Sequence, residues 1–234
     1  MPDIDRPSRR PTGLGCLPIV IAVALALILP WVFADMLATA LVKLQLNPNT
    51  ASVLVFGIFA GSLVNIPVKR ITRAEPLPLD PLAVFGVHGY WPEMRRLRRE
   101  TIIAVNVGGC LIPVGLALYE IYGLFVRSGP LGALAVATLA NVAVCYKLAR
   151  PVEGVGIMMP ALVPAATACV IALVMAPSFA TPIAFVAGVA GPLIGADLLH
   201  LREVEHIASG IVSIGGAGTF DGILLTGILA LYLA

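Results

Sequence analysis

Runs of about 20 apolar residues, separated by short polar connections, recur along this chain of 234 residues, and such runs are the mark of membrane-crossing helices. Only 12% of the residues are charged, about half the share of an ordinary soluble domain. Little is left from which to build a soluble unit. The expected fold is therefore all-α: one integral membrane domain over 1–234, a polytopic bundle of about seven transmembrane helices. The spans are expected at 17–41, 51–68, 101–124, 130–148, 155–175, 181–199 and 207–234.

Lysine and arginine set the orientation. Arg6, Arg9 and Arg10 lie in the tail 1–14. Lys69, Arg70, Arg73, Arg95, Arg96, Arg98 and Arg99 crowd the connection 69–100. Lys147, Arg150 and Arg202 follow the fourth and sixth spans. Seven spans put all of these on one side and leave Lys43 and Arg127 on the other, which predicts N-in/C-out and makes 69–100 a basic cytoplasmic connection. A cleavable leader is the rival for the first span, because Ala38-Thr39-Ala40 resembles a cleavage site. That run is too long for the apolar core of a leader, and its removal would put both ends outside. The segment "WPEMRRLRRE" (91–100) reads as a topogenic cluster with Trp91 at the interface. The net charge of +2 gives no reason to expect nucleic acid, and the partner is the lipid bilayer of an inner (plasma) membrane. Cys16, Cys110, Cys145 and Cys169 lie in or beside apolar spans and form no Cys-x-x-Cys pair, so they read as small packing residues.

A charge in the middle of a bilayer costs about 3 kcal/mol or more, so an acid placed there asks for a reason. Asp35 and Glu120 lie near the outer ends of spans one and three, from which they are expected to reach the interface, and Glu153 lies near the cytoplasmic boundary. Two acids stand apart. No charged residue occurs from Gly154 to Ala196 before Asp197, and Asp221 is the sole charge between Ile207 and Ala234. Both follow small residues, Gly195 and Ala196 for one, Gly215, Gly216 and Gly218 for the other, which let backbones approach closely.

Three readings follow. Asp197 and Asp221 would share a proton, activate water and act as a diaspartyl hydrolase on a membrane-protein substrate. Alternatively, they would bind a proton or small cation in a transporter or channel, with Asn65, Asn106, Asn141, Ser213 and Thr219 converging near mid-membrane. Here "FAGSLVNIPV" (59–68) and "AVNVGGCLIPV" (104–114) each combine Asn, Gly and Ile-Pro-Val within a span, as broken helices do. In the third reading the protein is a non-catalytic scaffold, and the acids pin helices by hydrogen bonds. His200, Glu203 and His206 (H-x-x-E-x-x-H) drift around a helix and read as a solvated connection, with at most a divalent cation between His200 and Asp197. No Gly-Lys-Ser/Thr phosphate loop is present, so no organic cofactor is expected.

"GAD" (195–197) resembles the Gly-x-Gly-Asp motif of presenilin and prepilin-peptidase-type intramembrane aspartyl proteases. "PAL" (160–162) looks like the Pro-Ala-Leu element of presenilins, and "TFD" (219–221) is loosely like their Tyr-Asp partner. Pro-Ala-Leu closes the chain in that superfamily and precedes both aspartates here. The resemblance implies Asp197 and Asp221 as general acid and base, with Pro160 to Leu162 shaping the substrate edge. A broader likeness is carried by "GSLVNIPV" (61–68), "VNVGGCLIPV" (105–114), "ARPVEGVGIMMPALVP" (149–164), "GPLIGADLLHL" (191–201) and "SIGGAGTFDGILLTGILA" (213–230). Together they resemble domain of unknown function 1614, a family of bacterial and archaeal polytopic membrane proteins. That likeness implies a prokaryotic multi-pass protein and brings no catalytic residue.

Overall fold

The computed structural model describes residues 17–72, 100–152, 156–204, 211–216 and 222–234. Helix α1 (Leu17–Lys43) is apolar apart from Asp35, Thr39 and the closing Lys43, with Pro30 inside it. In its first half Ile19, Val20, Leu25, Leu27, Leu29 and Val32 are exposed, whereas Leu37, Ala40 and Leu41 are buried. Helix α2 (Pro48–Ser62) begins where the Asn47 side chain accepts from the Asn49 N–H at 3.0 Å. Pro48 at the first helical position gives up only an N–H that would have no partner.

Beyond Ser62 the chain leaves the helix for strand β1 (Asn65–Thr72). It pairs antiparallel with β2 (Glu100–Asn106), Asn65 opposite Asn106 and Thr72 opposite Glu100. A π-helical turn, Val107–Leu111, then leads into α3 (Ile112–Val126). The expected spans 51–68 and 101–124 counted both strands as helix. Pro67 and the β-branched run Ile66, Val68 and Ile71, matched by Ile102, Ile103 and Val105, favour extended chain. The two Ile-Pro-Val copies also differ in kind. Residues 66–68 are strand and residues 112–114 are helix, so the internal similarity is not a structural repeat.

Helix α4 (Leu131–Leu148) is followed by a small hairpin, β3 (Arg150–Val152) and β4 (Gly156–Met158). Next come α5 (Leu162–Met175), a single 3-10 turn at Pro177–Phe179, and α6 (Ala180–Ala190), which widens into the π-helical segment Gly191–Leu198. After the short α7 (Leu201–Val204), strand β5 (Ile211–Ile214) pairs in parallel with β2 and completes a sheet of order β1-β2-β5. The last helix, α8, covers Gly222–Leu233. Within the expected span 207–234, the described residues Ile211–Ile214 are strand and Gly222–Leu233 are helix, with the β-branched run Ile211-Val212 favouring the strand.

The helices form an all-α bundle, and the small sheet joins two of their ends. Among the described residues four helical stretches are long and apolar enough to cross a membrane: Ile19–Lys43, Val107–Val126, Leu131–Leu148 and Pro177–Glu203. Helix α6 is the hub and packs on α3, α4, α5 and α8. Its Ile183, Phe185 and Val189 are fully buried, as are Ile223, Leu224, Ile228 and Leu231 of α8. At the crossing of α6 and α8, a Cβ on Gly188 would stand 2.9 Å from Gly227 Cα. In lipid such contacts, rather than expulsion of water, hold helices together. Lys43 Nζ donates to the Tyr232 carbonyl at 2.8 Å and lies 5.2 Å above the Tyr232 ring. The C-terminal ends of α1 and α8 therefore meet.

Candidate functional site: broken helix ends and a widened helix

Asn106 is wholly buried and bonds in two directions. Its Nδ2 donates to the Ser62 carbonyl at 2.8 Å and to Asn65 Oδ1 at 3.1 Å. Its Oδ1 accepts from the Gly109 N–H at 2.7 Å. One side chain thus satisfies an orphan carbonyl at the end of α2 and an orphan N–H at the start of the next helix. Ser213 Oγ donates to Asn65 Oδ1 at 2.6 Å, which brings β5 into the same network. The chain then turns at Gly215, whose φ of 70° suits glycine. A Cβ there would stand 2.8 Å from Cys110 N. The Gly216 N–H closes the turn on the Ser213 carbonyl at 2.9 Å. The structure brings Asn65, Asn106, Ser213 and Gly216 together at paired strand ends beside broken helices, not inside continuous ones.

The second locus is the π-helical segment Gly191–Leu198. Wide turns of this kind are rare and recur at functional sites. Gly191 and Gly195 face α4 at close range. A Cβ on Gly195 would stand 2.9 Å from Cys145 Cβ and 3.0 Å from Tyr146 N, and one on Gly191 would stand 2.8 Å from Asn141 Cγ. Asp197, two positions beyond Gly195, is half-buried. His200 was expected in a solvated connection, but it is 5% exposed. Its Nδ1 lies 3.1 Å from the Gly195 carbonyl and 2.9 Å from that of Ala196. Both neighbours are acceptors, so Nδ1 carries the hydrogen and the ring caps the widened helix. The ring also stacks on Tyr146 with centroids 4.8 Å apart. Nδ1 is thereby committed, so a cation shared with Asp197 would have to use Nε2. Glu203 is exposed, and His206 lies outside the described residues.

The third locus is the stretch before α5. Pro160 is exposed. The Ala161 carbonyl lies 3.5 Å from Thr226 Oγ1, and Met159 Cε would be 3.7 Å from a Cβ on Gly222. Both partners belong to α8, which also packs against the segment Gly191–Leu198. The Pro-Ala-Leu stretch and the widened helix thus both touch the helix that begins directly after Asp221. Gly218, Thr219 and Asp221 lie outside the described residues.

Residues 58–233 match the family described as "Protein of unknown function (DUF1614)". The chain belongs to that family. No curated protein and no solved structure matches it, and the presenilin-type similarity is not shown. The stretch matched to DUF1614 begins inside α2 and takes in the sheet, the widened helix and α8, while α1 lies before it. The family and the apolar helices together make this a membrane protein.

Two buried polar groups of this DUF1614 chain escape a reading by sequence. Asn141 is wholly buried on α4 and donates through Nδ2 to the Ala187 carbonyl at 2.8 Å, its Oδ1 being left without a partner. It locks α4 to α6 and does not join Asn65 and Asn106. Glu120 was expected to reach the interface, yet it is 2% exposed. The signal was its spacing from Gly123 and Arg127, which sets Glu120 and Gly123 along one side of α3 with Arg127 at the C-cap beyond them.

Proposed function

We propose that this protein is a multi-pass hydrolase of the inner membrane, oriented N-in/C-out, with Asp197 and Asp221 as a diaspartyl pair acting on a membrane-protein substrate. One observation carries the reading. Helix α8, which follows Asp221 directly, packs both on the segment that holds Asp197 and on the Pro160–Leu162 stretch. Elements far apart in sequence are thereby gathered around one helix.

The chemistry follows from two carboxyls held close. Like charges a few Å apart do not both ionise, so one keeps its proton. The ionised partner takes a proton from water as that water attacks a carbonyl carbon. The neutral partner donates its proton to the developing oxyanion or to the leaving amine. Gly195 and Gly216, with Gly218, give the backbone close approach, and Pro160 borders the substrate. The lysine and arginine bias supports the orientation.

A second reading has its own support: the end of α2 and the π-helical turn that leads into α3 lie beside Asn65 and Asn106, and the two side chains meet. Broken helices of this kind hold protons or cations in coupled transporters and channels. Reconstitution in liposomes separates the two. Asp197→Asn and Asp221→Asn should each lower substrate cleavage at least about a hundredfold, the usual weight of general acid–base catalysis. Loss of ion flux with no cleavage in the parent replaces the hydrolase by the transporter. A double variant equal to the parent in both assays ends both proposals and leaves a scaffold.

A further inference from the structure

A buried carboxyl stands at the opposite end of the bundle from Asp197. Helix α6 ends near Asp197 and leads through α7 to β5, which pairs with β2 just before α3 begins. Glu120 lies near the other end of α3, within the span Val107–Val126. Its Oε1 has no hydrogen-bond partner. Its Oε2 lies 3.7 Å from Arg127 Nη2, too far for a hydrogen bond. The guanidinium is held elsewhere: Arg127 Nε donates to the Gly123 carbonyl at 3.1 Å. A Cβ on Gly123 would stand 3.1 Å from Nη2, so glycine lets the guanidinium lie flat on the helix end. The Arg127 side chain is 42% exposed, so it sits between Glu120 and the surroundings.

Among the described residues, the elements that pack most extensively on α3 bring no other charge to Glu120. Helices α2 and α6 carry no titratable side chain. Cys110 lies in the turn at the far end of α3. Helix α8 offers only Tyr232, whose ring is covered by Lys43. On α3 itself, Tyr119 and Tyr122 are exposed. A buried carboxylate with one bare oxygen and no strong donor has to acquire a positive partner or lose its charge. A metal ion needs several oxygen ligands, and Arg127 repels it. A proton needs neither a ligand shell nor space.

We propose that Glu120 is a proton-binding site and that Arg127 is both its counter-ion and its lid. The carboxyl holds the proton while the guanidinium rests on the Gly123 carbonyl. When the guanidinium closes on Oε2, the O–H bond breaks, the proton passes to water at that membrane face, and a paired carboxylate remains. The site does not depend on the Asp197–Asp221 reading.

The test is infrared difference spectroscopy of the full-length protein in lipid vesicles, before and after a pH step. The parent should show a neutral-carboxyl band that responds to the step. Glu120→Gln should abolish a component of that band that survives in Asp197→Asn and in Asp221→Asn, and Glu120→Asp should keep that component at a moved position, which covers the case in which the glutamine variant fails to fold. Arg127→Gln should retain the band and lose its pH response. An intact band in Glu120→Gln, an unchanged spectrum in Glu120→Asp, or an Arg127→Gln variant that responds as the parent does would overturn the proposal.

Discussion

Asn106 ties the last turn of α2 to the chain that builds α3 by donating to the Ser62 carbonyl at 2.8 Å from a wholly buried position. Its oxygen serves Gly109 at the same time. Asn106→Leu strands a carbonyl and an N–H, each costing about 1–3 kcal/mol when buried. The expected loss is about 2–6 kcal/mol by that arithmetic, read as a lowered unfolding midpoint in detergent. Ser213→Ala removes one bond to the exposed Asn65 and should cost under about 1 kcal/mol. Equal effects of the two substitutions would deny Asn106 its bridging role.

Glycine matters at the same junction for want of room. A Cβ on Gly108 would meet the Gly61 carbonyl carbon at 2.9 Å, with the backbone at Ile58 and Ser62 closer still. Backbone yields far less readily than a side chain, so Gly108→Ala should destabilise by about 3 kcal/mol, the upper end of overpacking. Gly115→Ala is the control, because nothing lies within 4 Å of a Cβ there. It lies in the interior of α3 and should be neutral or gain up to about 1 kcal/mol from helix propensity. Comparing the two midpoints separates steric need from a general preference for small residues.

The bundle was legible because hydrocarbon imposes a simple rule on composition: a run long enough and apolar enough becomes a helix. Where helices end was not legible by that rule. Ile66, Val68, Ile102 and Val105 are as apolar as any helical residue here, and the period of a strand is hard to see over so few positions. Pro67 was the readable warning. Asn65 and Asn106 were found as a pair because polar residues beside Gly and Pro stand out in apolar sequence. The use of Asn106 as a cap was hidden, since it depends on strand pairing between Asn65 and Asn106 across a long connection. Glu120 and His200 were misplaced for a related reason. Distance from a span's end predicts reach to the interface only when the side chain faces outward, and neighbouring helices decide that.

His200 fixes the end of the widened helix that carries Asp197. It does so by a hydrogen bond from Nδ1 to the Ala196 carbonyl at 2.9 Å and by its stack on Tyr146. His200→Phe keeps the stack and loses the bond, at a cost of about 1 kcal/mol. His200→Ala loses both and should cost about 1 kcal/mol more, the usual worth of an aromatic pair. Thermal melts of the parent, His200→Ala, Tyr146→Ala and the double variant form a double-mutant cycle. A coupling near zero between His200 and Tyr146 would show that the stack contributes nothing.

Asn141 tests the sign of a buried hydrogen bond. Its Nδ2 donates to the Ala187 carbonyl at 2.8 Å, and Gly191 packs against the amide so closely that a Cβ there would be 2.8 Å from Cγ. Asn141→Ala gives up that bond and leaves a small void, an expected loss of about 1–3 kcal/mol. Asn141→Asp keeps the shape and replaces the donor with an oxygen. With no cation among the described neighbours, the new carboxyl keeps its proton at neutral pH, and its O–H donates to the Ala187 carbonyl in place of the amide. At alkaline pH the ionised group sets acceptor against acceptor, and the variant should then be less stable than Asn141→Ala by about 2 kcal/mol or more, because an unpaired buried charge costs more than a missing bond. Unfolding of both variants in the same bilayer mimetic at neutral and at alkaline pH gives the order directly. If the stability of the aspartate variant does not fall with rising pH relative to the parent, the amide does not donate across the α4–α6 contact.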